Sequence, residues 1–167
     1  MERRLAAILM ADIVGFSRLM GEDEVGTLAA VKVLWMEQFG PRVTEHHGRV
    51  VKLMGDAALV EFPSVVDAVG CAIATQRDAA ERNAAVPVGE RIEIRIGINL
   101  GDIIIEGDDI YGDGVNVAAR MEKLAEPGGV ALSATAHEHA GGKVGFDFRD
   151  GGEHELKNIA KPVRVYL

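Results

Sequence analysis

The chain has 167 residues, a net charge of −8 and a single cysteine, Cys71. That length suits one domain with a substantial core, expected over residues 1–167. The acidic balance tells against a nucleic-acid groove driven by bulk charge, and a lone cysteine excludes an intrachain disulfide framework. A reducing cytoplasm is the expected setting. The apolar run 5–11 is too short to span a bilayer and ends at Asp12 with no cleavage site after it. No membrane segment is therefore expected within this chain.

Residues 5–14, "LAAILMADIV", form an apolar run with one charge, which predicts a central strand. Gly15, Phe16 and Ser17 break it, and Ser17 followed by Glu22, Asp23 and Glu24 predicts a helix start. Apolar residues then recur at helical spacing as far as Val43, with Pro41 expected to kink or divide the helix. Residues 50–62, "VVKLMGDAALVEF", read as a β-hairpin turning at Gly55-Asp56. A solvated turn accounts for Asp56 but not for Lys52.

Ser64 predicts the cap of a second helix, which gives way to a loop over 83–90. Residues 91–98 alternate polar and apolar, predicting a half-exposed strand, and the isoleucines 103–105 predict another after Gly101-Asp102. A short helix follows Gly112-Asp113-Gly114 and runs to Leu124, where Pro127-Gly128-Gly129 ends it. Then come a strand over 130–132, a helix capped at Ser133, and terminal strands. The order βαββαβ predicts an α+β fold, a ferredoxin-like antiparallel sheet with an additional C-terminal helix and strands as an appendix. Helices on one face leave the other for further elements or a second chain.

Asp12 and Asp56 each end an apolar strand, where a lone carboxylate is costly to bury. The first and third strands are neighbours in a βαββαβ sheet, so the two ends can converge, and a cation such as Mg²⁺ would relieve their repulsion. Two solvated turn aspartates are the other reading. After Asp12, the stretch Ile13-Val14-Gly15-Phe16-Ser17 leads into a helix whose free backbone N–H groups suit a phosphate. Asn116 and Arg120, four apart, share one helical face and could orient a sugar oxygen and offset phosphate charge, or form an ordinary exposed face.

The stretches "MADIVGFS", "VVKLMGDAALVEF", "RIGINLGDI" and "DIYGDGVNVAARME", in that order, resemble the catalytic domain of class III nucleotidyl cyclases. The resemblance extends to the tail "LKNIAKPVRVY". It implies that Asp12 and Asp56, with the backbone carbonyl of Ile13, hold two Mg²⁺ or Mn²⁺ ions per site. It implies that Lys52 and Asp109 select the purine, and that Asn116 and Arg120 act on the transition state. Gly15, Phe16 and Ser17 would meet the triphosphate, as would Lys157, although Asn158 stands where a glycine usually follows. Asp102 stands after Gly101, where some relatives carry a phosphate-binding arginine.

The implied reaction turns ATP into 3′,5′-cyclic AMP and pyrophosphate. A lysine donor and an aspartate acceptor complement the N1 acceptor and N6 donor of adenine, whereas guanine reverses that edge. The resemblance also implies a head-to-tail, two-fold homodimer with shared sites, and leaves room for a regulatory domain in a longer protein. The competing expectations are a catalytically silent nucleotide-binding or dimerisation module, and a guanylate cyclase with relaxed base selection.

Overall fold

The computed structural model describes residues 2–140, 150–154 and 163–166. Its centre is strand β1 (Glu2–Ile13), whose middle, residues 5–11, reads as unbroken apolar sequence because residues 6–9 are buried on both faces. Ala7, Leu9, Ala11 and Ile13 point into one core, Ala6 and Ile8 into another. The chain continues through α1 (Phe16–Glu22), α2 (Glu24–Val33), a π-helical stretch (Leu34–Phe39) and α3 (Gly40–Glu45). The hairpin of β2 (Arg49–Met54) and β3 (Ala57–Phe62) is followed by α4 (Val65–Ala84) and β4 (Ile94–Glu106). Then come β5 (Asp109–Tyr111), α5 (Asp113–Leu124), β6 (Val130–Ser133), α6 (Ala134–Ala140), β7 (Asp150–His154) and β8 (Val163–Tyr166).

The sheet runs β2-β3-β1-β4-β6-β8-β7, with β5 folded back on the end of β4. The first four strands have the ferredoxin-like order expected of βαββαβ, all antiparallel. The additional C-terminal strands extend this core within the same sheet: β6 joins β4 in parallel, and β8 and β7 follow. Residues 94–106 form one strand, because twelve residues of β1 pair with it without a break across Gly101-Asp102. Residues 91–93 stay outside it. The strand is also less exposed than its alternation suggests, since α5 lies over its second face.

Helix boundaries follow local chemistry. Gly15, at φ +63°, precedes α1, and no side chain caps that helix; Ser17 lies inside it rather than at its start. Asp23 caps α2 by accepting from the Gly26 amide at 3.0 Å, and Ser64 caps α4 by accepting from Asp67. Pro41 lies where the helical stretch divides. It sits in the first turn of α3, and the turns before it widen to a π-helix, which relieves the ladder position proline cannot fill. Among the described residues, no helix is long and apolar enough to cross a membrane.

Helices α4 and α6 pack on the face carrying Ile94, Ile96 and Ile98. Helix α5 packs on the opposite face, so the sheet is not left bare there. Gly97 makes this possible: a Cβ at that position would lie 2.1 Å from the Glu122 backbone nitrogen and 2.7 Å from the Ala118 carbonyl oxygen. Helix backbone rests directly on strand backbone. Gly97→Ala should therefore destabilise the fold by about 2 kcal/mol or more, because nothing flexible can yield. A urea denaturation midpoint equal to that of the wild type would contradict this contact.

Candidate active site

The structure brings Asp12 and Asp56 together. Asp12 pairs with Ala57 across β1 and β3, and the Ile13 amide donates to the Asp56 carbonyl at 2.9 Å. Gly55, at φ +66°, makes the turn that presents Asp56. The indole N–H of Trp35 holds that turn from behind, donating to the Gly55 carbonyl at 3.3 Å. Partial burial, then the neighbouring charge of Asp12, raise the Asp56 pKa above the usual carboxylate range.

Two residues that sequence reasoning missed complete this cluster. Lys123 donates to Asp12 Oδ2 at 2.9 Å and lies 3.3 Å from Glu122 Oε2. Glu122 is only 2% exposed. Burial, then the charge of Asp12, push its carboxyl up to about 7, and Lys123 only partly opposes this. The Lys123 ammonium is held above its ordinary value, chiefly by its hydrogen bond to Asp12. One signal was available: Asn116, Arg120 and Lys123 follow i, i+4, i+7 spacing and share a helix face. Nothing comparable marks Glu122.

Asp12 Oδ1 is buried and lacks a hydrogen-bond partner. An orphaned carboxylate oxygen beside a second carboxylate suits a hard divalent cation with oxygen ligands. Among the described residues, no three metal-binding side chains are grouped to cage an ion by themselves. Two carboxylates plus substrate phosphates is the pattern Mg²⁺ usually accepts.

Lys52 and Asp109, 57 residues apart, meet at 3.1 Å. A β-bulge makes this possible. Val50 pairs with Val60, but Lys52 pairs with Leu59, so the extra residue Val51 turns Lys52 away from the helical core. It then shares a face with Leu59, Ile110 and α5. Asp109 is held below its usual range, first by Lys52 and next by the Ile110 amide. The Lys52 ammonium also lies 5.7 Å over the Tyr111 ring. Arg49 ties the preceding turn to β2, donating to the Asp108 carbonyl at 3.0 Å and to Glu61 at 3.1 Å.

Asn116 and Arg120 lie on α5, the first exposed and the second half-buried. Lys123 marks the α5 end nearest Asp12, so Asn116 lies roughly 10 Å farther along the helix axis. Gly15, Phe16 and Ser17 occupy the turn and first residues of α1, following Asp12 in the chain. A cleft beside the start of α5, lined by Arg3, Asn99, Asp102, Gly112, Asp113 and Val117 among others, includes none of the expected metal or base residues. Lys157 lies outside the described residues.

The Glu122 carboxyl has a pH consequence. Its pKa is raised in the folded chain, so the folded state holds that proton more tightly than the unfolded state. The resulting stabilisation is present in acid and is lost as pH rises through about 7. Metal-free Glu122→Gln should gain roughly 2–4 °C in melting temperature relative to wild type between about pH 5 and about pH 8. A difference that stays constant across that range would refute the assignment.

The sequence profile of the Adenylate and Guanylate cyclase catalytic domain matches residues 2–167. A Rhizobium meliloti protein provisionally named adenylate cyclase 3 is 52% identical over 164 residues, covering 98% of this chain and 28% of that protein. The chain spans 15% to 28% of the length of the first three curated relatives it matches. Among solved structures, an adenylate/guanylate cyclase/hydrolase from Silicibacter pomeroyi superposes with a TM-score of 0.93 at 42% identity, over 99% of this chain and 96% of that one. The adenylyl cyclase CyaB of P. aeruginosa gives 0.84 at 26% identity, over 99% and 93%. With the ferredoxin-like order and the paired aspartates in place, these likenesses settle the family: the chain belongs to the adenylate and guanylate cyclase catalytic domains.

Proposed function

We propose that residues 1–167 form an adenylate cyclase catalytic domain that makes 3′,5′-cyclic AMP and pyrophosphate from ATP in the cytoplasm. The observation that carries the choice of ATP is the meeting of Lys52 and Asp109 at 3.1 Å. A donor and an acceptor held side by side complement the N1 and N6 edge of adenine. With ATP in place, each group turns from the other to the base.

Asp12 and Asp56, with the Ile13 carbonyl, are the groups that would hold Mg²⁺ or Mn²⁺, two per site. Bound there, such ions acidify the ribose 3′-hydroxyl and offset triphosphate charge. Asn116 orients the ribose so that its 3′ oxygen faces the α-phosphorus. Arg120 offsets the charge growing on the α-phosphate oxygens as the new P–O bond forms and pyrophosphate leaves. The amides around Gly15, Phe16 and Ser17 receive phosphate oxygens, and Lys157 is assigned to the same group.

The active unit in this reading is a head-to-tail homodimer. Leu53, Met54 and Tyr111 leave apolar surface exposed around Lys52 and Asp109, which suits a partner chain. Helix α5 also carries Asn116 away from its own chain's Asp12. In a two-fold pair, the metal residues of one chain would face the purine-reading and transition-state residues of the other.

Incubated with Mn²⁺ or Mg²⁺, the domain should convert ATP to cyclic AMP with clear preference over GTP. Asp12→Ala and Asp56→Ala should each lower turnover by at least about a hundredfold while keeping the wild-type circular dichroism spectrum. Cyclic GMP as the main product, or no product with either nucleotide, would overturn the assignment.

Sharing of sites has its own test. Asp56→Ala and Arg120→Ala chains should each be nearly inactive alone. Mixed, they should recover up to about half of wild-type activity per heterodimer, because one of two symmetric sites is then whole. Verified heterodimers without activity would mean that the residues meet within a single chain.

A further inference from the structure

We propose that Lys123 is an internal stand-in for the divalent ion, holding Asp12 in the metal-free chain and passing to Glu122 when metal arrives. This rests on Asp12 being a metal ligand, as proposed above. The ammonium sits on Asp12 Oδ2 at 2.9 Å and reaches Glu122 Oε2 at 3.3 Å, so it already bridges both acceptors. Glu122 is buried, and its backbone is fixed where α5 rests on Gly97. The Lys123 side chain is 59% exposed, which leaves it room to shift.

Asp12 has one oxygen taken by the ammonium and the other buried without a partner. The charge of Asp12 disfavours ionisation of both Asp56 and Glu122. Lys123 lessens that repulsion when no metal is bound. A divalent ion on Asp12 and Lys123 on the same carboxylate repel in turn, so the two compete. Glu122 gives the displaced ammonium an acceptor already within reach, which lowers the barrier to exchange. Lys123 is thus a positioning residue: it sets how much metal the site requires and keeps the Asp12 carboxylate oriented until metal binds.

The test is a Mn²⁺ titration of the metal-free protein, following unbound Mn²⁺ by electron paramagnetic resonance. Asp12→Asn identifies the site, and its binding should largely disappear. Lys123→Met should bind Mn²⁺ roughly five- to tenfold more tightly, since a competing charge at contact distance is removed. The same variant should melt at a lower temperature when metal-free. Glu122→Gln should bind more weakly than wild type, because the ammonium then has only Asp12 to hold.

The double variant separates contact from a general field. With Lys123 gone, Glu122→Gln should have almost no further effect, whereas a field effect would give additive changes. Lys123→Gln carries the same expectations if the methionine variant does not fold. Unchanged affinity on removal of Lys123, or additive effects in the double variant, would overturn the proposal while leaving Asp12 a metal ligand. Wild-type affinity in Asp12→Asn would overturn both.

Discussion

The register of β1 between β3 and β4 governs everything that follows in this structure. Twelve consecutive pairs bind β1 to β4 and six bind it to β3, so no one-residue slip is available without turning a core face outward. That register puts Asp12 beside Ala57 on one side and Arg95 on the other. It also delivers the Ile13 amide to the Asp56 carbonyl. The carboxylates meet because the strands can pair in only one way. Ala6, Ile8 and Met10 then share a core with Ala118 of α5, Asp12 follows in the same alternation, and α5 rests closely on β4 both at Gly97 and where Gly114 meets Asp102.

The electrostatics follow from that geometry. A sheet interior gives little solvent to a carboxylate at the end of its central strand, and a second and third carboxylate nearby make matters worse. Every shifted acid in this cluster is shifted upward, first by burial and next by the charge of Asp12. At Lys52 and Asp109 the situation is reversed. There an acid and a base are matched in one chain, and the Asp109 carboxyl is lowered, with Lys52 as the main cause. One cluster is a surplus of negative charge that Lys123 only partly offsets. The other is a balanced pair beside the exposed Tyr111 ring.

Much of this was legible in the sequence because it rests on local chemistry. Ser64 reads as a cap and is one, Gly55-Asp56 reads as a turn and is one, and βαββαβ follows from element order. Pro41 reads as a division of the helix and marks one, because a proline constrains the hydrogen-bond ladder and the turns before it widen to a π-helix. Ser17 was misleading because Gly15 adopts the left-handed conformation two residues earlier and starts the helix without a side-chain cap. The break expected at Gly101-Asp102 failed because pairing with β1 outweighs the local weakness of a glycine. Lys123 and Glu122 were not recognised as part of the site because their role depends on where α5 lies across the sheet. That placement rests on close backbone contacts at Gly97 and Gly114; the spacing within α5 puts Lys123 on the face of Asn116 and Arg120 but does not say what that face meets.

The bulge at Val51 divides the specification of Lys52 into two independent parts. The identity of residue 52 decides its chemistry, but whether Val51 bulges out of the pairing decides which side of the sheet that chemistry reaches. A comparison of sequences that scores only residue type does not register this. In the folded chain, pairing every residue of this strand without a bulge would set Lys52 opposite Ala58 and turn the ammonium toward the packed helical layer, away from Asp109. For this strand, pairing is as much a determinant of what the surface presents as composition.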